Sequence, residues 1–245
     1  MAKLSPLYDA FVEVFGQRLK RYGFPPKKKS TGFIQLQTPS GYVGIHIAPI
    51  HRWPVGLDVT PGYAISNAVV QKILEKTELY HQPKGLTWTC GALIRSTIHA
   101  LGELQLARTW RDEKGLHVNL DDVKRIERLY GIWLDADADA KAVNRMADHA
   151  FSLVERWAWP VLERYGFSDE AMLELTMRDD NLADLLFSGP RKPLTGLILA
   201  RHLDKGDAAE IILATARKRH AGFAAHGNPR IEEQFEKLVR VLKLI

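Results

Sequence analysis

The chain has 245 residues, 46% hydrophobic and 26% charged, with 34 Lys and Arg against 29 Asp and Glu and a formal charge of +5. That balance excludes a disordered chain, a collagen-like repeat and a bare coiled coil. The length is enough to bury roughly 70–75% of the unfolded surface in one large domain or two small ones.

One cysteine, Cys90, excludes an intramolecular disulfide and a cysteine-rich zinc site. Asp9 and Glu13 interrupt what would otherwise be a signal-peptide stretch, and no run approaches the roughly 20 apolar residues of a bilayer span. The expectation is a soluble, cytoplasmic protein with no membrane association. The charge is uneven: residues 1–50 hold seven basic and two acidic residues, and the rest of the chain holds equal numbers of each. The whole +5 therefore sits at the N-terminal end.

Ser5-Pro6 reads as an N-cap with Pro at the first helical position, and Gly23 as a stop. Leu7, Phe11, Val14, Phe15 and Leu19 recur at helical spacing between them, which predicts an amphipathic helix over 6–22. Residues 33–38 alternate as a strand, Pro39-Ser40-Gly41 supplies a turn, and 42–47 returns. A third strand is expected over 55–60, closed by Pro61-Gly62. Ser66 is expected to cap a helix over 67–77. Residues 86–90 and 116–119 suggest strands, and 92–106 is ambiguous between helix and irregular structure.

From Leu120 onward apolar residues step at three or four, with breaks at Gly166, Gly189-Pro190, Gly206 and Gly227-Asn228-Pro229. Segments 194–204 and 207–221 read as two helices joined by Asp204-Lys205-Gly206. The fold class expected is α+β, a small antiparallel sheet packed on an N-terminal helix, followed by an all-helical C-terminal part. The corresponding division is a sheet domain over 1–120 and a helical extension over 121–245, separate or continuous with it.

Asp135, Asp137 and Asp139 alternate as in a calcium loop, but Ala140 and Met146 stand where the Gly and the bidentate Glu are needed. Capping of the helix that follows is the better reading. His46 and His51 flank Pro49, with Asp58 on the next strand. The three could hold zinc or form a base and its orienter in a hydrolase or metal-dependent enzyme. The simpler reading is polar residues on the outer face of a sheet. Nucleophile-elbow, dinucleotide and phosphate-loop motifs are absent, so no catalytic residue and no cofactor is assigned. Cys90, in an apolar run, is expected to be a buried structural thiol. Trp157 and Trp159, two apart, cannot share a helix face, so one is expected in the core and the other at an interface or exposed.

Arg18, Lys20, Arg21, Lys27, Lys28 and Lys29, interleaved with Tyr22, Phe24 and Phe33, form the candidate binding patch. Cations with stacking faces suit nucleic acid or another anion. The competing reading is a solvated helix end whose cations favour the helix dipole, with the aromatics in the core.

The segment Leu19-Lys20-Arg21-Tyr22-Gly23-Phe24, then Lys28 and Phe33, and the strand Gly44-Ile45-His46-Ile47 resemble a bacterial family catalogued as domain of unknown function 4304. Ala158-Trp159-Pro160-Val161-Leu162-Glu163-Arg164-Tyr165 with Ser168-Asp169-Glu170-Ala171, and the pair Leu197-Ile198-Leu199-Ala200 and Gly206-Asp207-Ala208-Ala209, are similar to later parts of that family. The resemblance implies an α+β domain with a helical extension in a bacterial cytoplasm, and brings no catalytic residue. The function expected first is a non-catalytic binding protein with a protein partner, its recognition surface formed by the sheet domain and the helical tail together, of which an immunity or antitoxin-like role is one version. Nucleic-acid or anion binding through the basic segment is the alternative, and an enzyme using His46, His51 and Asp58 the second alternative.

Overall fold

The computed structural model describes residues 5–25, 32–52, 55–76, 88–101, 109–113, 115–187 and 191–225, together with 233, 236, 237, 239 and 240. The first helix, α1 (Ser5–Leu19), tightens into a 3-10 turn over Lys20–Tyr22 and ends at Gly23, whose φ of 83° is left-handed. Glycine adopts that conformation without a Cβ clash, so the stop lies where the sequence places it. Strands β1 (Phe33–Thr38), β2 (Gly41–Arg52) and β3 (Gly56–Asn67) follow, then α2 (Ala68–Lys76).

Next come β4 (Cys90–Leu93), α3 (Ile94–Ala100), β5 (Thr109–Asp112), β6 (Gly115–Val118), α4 (Leu120–Tyr130) and β7 (Ile132–Asp135). A helical run of α5 (Ala140–Leu153), a π turn (Val154–Ala158) and α6 (Trp159–Tyr165) leads to α7 (Asp169–Met177), α8 (Asn181–Leu186), α9 (Arg191–His202) and α10 (Gly206–Ala225).

The fold is α+β: an N-terminal helix, an antiparallel sheet in the order β1-β2-β3-β4, and a helical C-terminal part. β5 and β6 form a separate antiparallel ribbon. Beyond β2, which runs to Arg52 past its expected end at 47, and β4, which begins at Cys90 where the strand expected over 86–90 ends, three details differ from expectation. β3 runs through Pro61-Gly62 to Asn67 instead of closing there. Pro61 lies past Val59, the last residue of β3 paired with β7, so its missing N–H costs that pairing nothing. The helical part is interrupted by β7, which pairs antiparallel with β3. Asn67, not Ser66, caps α2: its Oδ1 accepts from Val70 N at 3.1 Å.

The chain divides into two compact units interleaved in sequence, Met1–Leu36, Gly44–Tyr63 and Ala92–Pro160 in one, and Gln37–Val43, Ala64–Gly91 and Val161–Ile245 in the other. Both draw residues from either side of residue 120.

In the first unit α1 packs against α5, and α3 against the π turn. Phe11, Phe15 and Leu19 on α1 and Val143 and Ala147 on α5 are buried, as are Ile45, Ile47, Leu57, Val59, Ile132 and Leu134 of the strands. Burying a large apolar side chain contributes roughly 1.5–3 kcal/mol, so this face dominates the unit's stability. Tyr8 anchors α1 by donating its hydroxyl to Ile47 O at 2.8 Å, and burial pushes that phenol up to about 12.

In the second unit α9 packs against α2, α7 and α10. A Cβ on Gly196 would lie 2.6 Å from Thr176 Oγ1 and 2.9 Å from Ile212 Cδ1, so glycine is what lets α9 approach α7 and α10. Ser168 caps α7 by accepting from Ala171 N, and Asp180 caps α8 by accepting from Ala183 N. Lys192, with 9% of its side chain exposed, places Nζ 2.7 Å from Asp184 Oδ1.

Candidate functional site

In the first unit the sheet has one buried and one outward face, and period-two alternation decides which residues each presents. β7 buries Ile132 and Leu134 and turns Trp133 and Asp135 outward. The register sets Trp133 opposite Asp58 and Asp135 opposite Gly56. The His46 ring covers Gly62, where a Cβ would meet Nε2 at 2.2 Å, so even-numbered residues of β2 and β3 share this outward face. Ile50 belongs to it by alternation.

Trp133 is 39% exposed and Ile50 42%. Both are large apolar side chains left open to solvent on this face, on β7 and β2 with β3 between them. The Trp133 indole leans over the bare backbone of Gly56, and its Nε1 donates to Asp135 Oδ1 at 2.8 Å. Two contacts thus fix an aromatic plate that still faces solvent.

Of the three candidate enzyme residues, His46 and Asp58 are not brought together. His46 is half-buried over Gly62, and burial holds its imidazole below the usual histidine range. Asp58 lies four residues along β3 from Gly62, about 13 Å at 3.3 Å per residue. His51 is on β2, and its side chain lies outside the described residues. His46 and Asp58 occupy the outward sheet face, as the simpler sequence reading has it.

Lys27, Lys28 and Lys29 lie outside the described residues. Arg18 Nε donates to Asp148 Oδ1 at 2.8 Å and its Nη2 to Asn144 Oδ1 at 3.0 Å. Arg21 Nη2 is 3.1 Å from Glu155 Oε1, which also accepts from the Tyr22 hydroxyl at 3.1 Å. Exposed pairs of this kind contribute about 0–1 kcal/mol each, but each neutralises a cation. Lys20 is exposed and has no carboxylate partner among the described residues.

Tyr22 stacks on Trp159 with centroids 4.2 Å apart, Phe24 meets Trp159 edge-on at 6.2 Å, and Phe24 and Phe33 are buried. These rings pack with one another and with the core. Trp157 is buried and Trp159 half-buried in this stack, so neither is an open anchor.

Asp139 caps α5, accepting from Ala142 N at 2.7 Å, as the helix-cap reading requires. Among the described residues no group of three or more His, Cys, Asp or Glu is placed to hold a metal ion. Cys90 is a free, buried thiol pushed up to about 12 by burial, against a smaller opposing effect of Arg191. No described helix is long and apolar enough to cross a membrane.

Sequence reasoning missed Trp133. Its signal is the alternation Ile132-Trp133-Leu134-Asp135 after Gly131, four residues inside a region of helical period. Comparison with protein-family models, curated proteins and solved structures finds no match.

Proposed function

We propose that this chain is a non-catalytic protein-recognition protein whose contact surface is the outward sheet face of the first unit. The observation that carries this reading is Trp133, held by Gly56 and Asp135 yet 39% exposed on the same sheet face as Ile50. Tryptophan is the residue type most enriched among interface anchors, and a prefixed ring loses little freedom on binding. The separation of His46 from Asp58 supports recognition over catalysis.

An immunity or antitoxin-like role in a bacterial cytoplasm is one form of this proposal, argued by class of protein and not from a site. Membership of the domain of unknown function 4304 family is likewise proposed on the segments quoted above. Anion binding through residues 18–29 has less support, because Arg18 and Arg21 already face carboxylates.

The test is affinity purification from cells in which the gene naturally occurs, with wild type and Trp133→Ala compared side by side. A protein reproducibly retained by the wild type and lost with the variant is expected. No reproducible protein, or equal retention by both, would overturn the reading.

A further inference from the structure

The outward sheet face is more than apolar. Asp58 is directly opposite Trp133 across β3 and β7, so their Cα atoms are about 4.5–5.5 Å apart and their side chains lie abreast. The Asp58 carboxylate is partly exposed and makes no hydrogen bond or ion pair among the described residues. The other described carboxylate of this face, Asp135, accepts from the Trp133 indole N–H, and with one side of the ring against Gly56 the other is left for a partner. Both described carboxylates are therefore acidic neighbours of one exposed indole. Arg52, at the end of β2, lies outside the described side chains.

A cation set between Asp58 and the Trp133 ring would gain from the carboxylate and from the ring quadrupole together. Ile50 is four residues along β2 from His46, as Asp58 is four back along β3 from Gly62, which sets it on the far side of Asp58 with an apolar contact to offer on the same face. An anionic partner would meet two carboxylates there, which is the like-charge juxtaposition that rejects wrong partners.

We infer that this face docks a protein segment presenting a lysine or arginine beside an apolar side chain, the cation at Asp58 and Trp133 and the apolar group at Ile50. The inference rests on the recognition reading above and names the chemistry of its partner.

The full chain, immobilised, is panned with a random twelve-residue phage-displayed peptide library, and an enriched peptide is synthesised and titrated by fluorescence anisotropy. Enriched sequences are expected to pair Lys or Arg with a neighbouring apolar residue. Asp58→Asn should weaken the peptide by about tenfold, Trp133→Ala should remove binding, and added salt should weaken the wild type more than Asp58→Asn. Thermal melting of both variants checks that they fold, and Thr60→Lys, which adds a like charge to the same face, gives an independent readout by repelling the peptide.

Peptides that need Trp133 but bind Asp58→Asn and Thr60→Lys within twofold of wild type would overturn the inference and leave recognition by this face standing. Peptides indifferent to Trp133 as well, an acidic or neutral enriched set, or no enrichment would overturn it outright. Indifference to Trp133 would also count against the recognition reading.

Discussion

The Trp133 indole covers Gly56: a Cβ built on Gly56 would lie 2.6 Å from Trp133 Cζ2 and 2.4 Å from the backbone oxygen of Leu134. The ring could swing aside, but the carbonyl of the paired strand cannot. Gly56→Ala is therefore expected to lower stability by about 1–3 kcal/mol, the usual cost of overpacking, and to move Trp133 further into water. Urea unfolding measures the first. The second appears as a red shift in emission that is absent when the same change is made in a Trp133→Phe background.

In the second unit the corresponding close approach is at Gly196. Gly196→Val would drive two methyl groups toward Thr176 and Ile212, where even a Cβ is too close. A loss of about 1–3 kcal/mol is expected, read as a lower urea midpoint. Stability equal to wild type would mean that α9 does not approach its neighbours as described.

The His46 imidazole is held below the usual histidine range by burial over Gly62. Between its folded pKa and the unfolded value near 6.5 the unfolded chain binds more protons, so stability rises with pH through that window. It is fully recovered above the unfolded value and declines as pH falls below it. Melting temperature should accordingly fall from pH 7.5 to 5.5, and His46→Gln should flatten the decline. An identical profile in the variant would place the sensitivity elsewhere.

Much of the fold is legible in the sequence where local chemistry and burial agree. The stop at Gly23 needs a left-handed residue, and the α9 and α10 pair follows from apolar spacing with Asp204-Lys205-Gly206 between. The strands are less legible, because alternation shows only where one face meets water. Past Gly62, β3 buries Tyr63, Ala64 and Ile65 in succession, which erases the period that would have extended it. β7 is four residues between two helices, too short to outweigh its surroundings. The candidate site is half visible: Asp58 stands out by residue type, whereas Trp133 becomes its neighbour only through the β3 and β7 register.

Cys90 is buried, with its thiol pushed up to about 12. A thiolate is the reactive form, so almost none is present at neutral pH. Native protein should resist iodoacetamide at pH 8 for hours and take up one equivalent once unfolded in urea, as intact-mass measurement would show. Rapid labelling of the native chain would contradict the burial described.

The most direct measurement is the dissociation constant of the protein captured by the wild-type chain, determined for wild type, Trp133→Ala and Lys20→Glu. Loss of an interface anchor costs about 2 kcal/mol or more, roughly 30-fold in affinity. The sheet-face reading predicts a weakening of that size for Trp133→Ala and a value within about twofold of wild type for Lys20→Glu. A large loss for Lys20→Glu with Trp133→Ala unchanged would contradict it and move the contact surface to the basic end of α1.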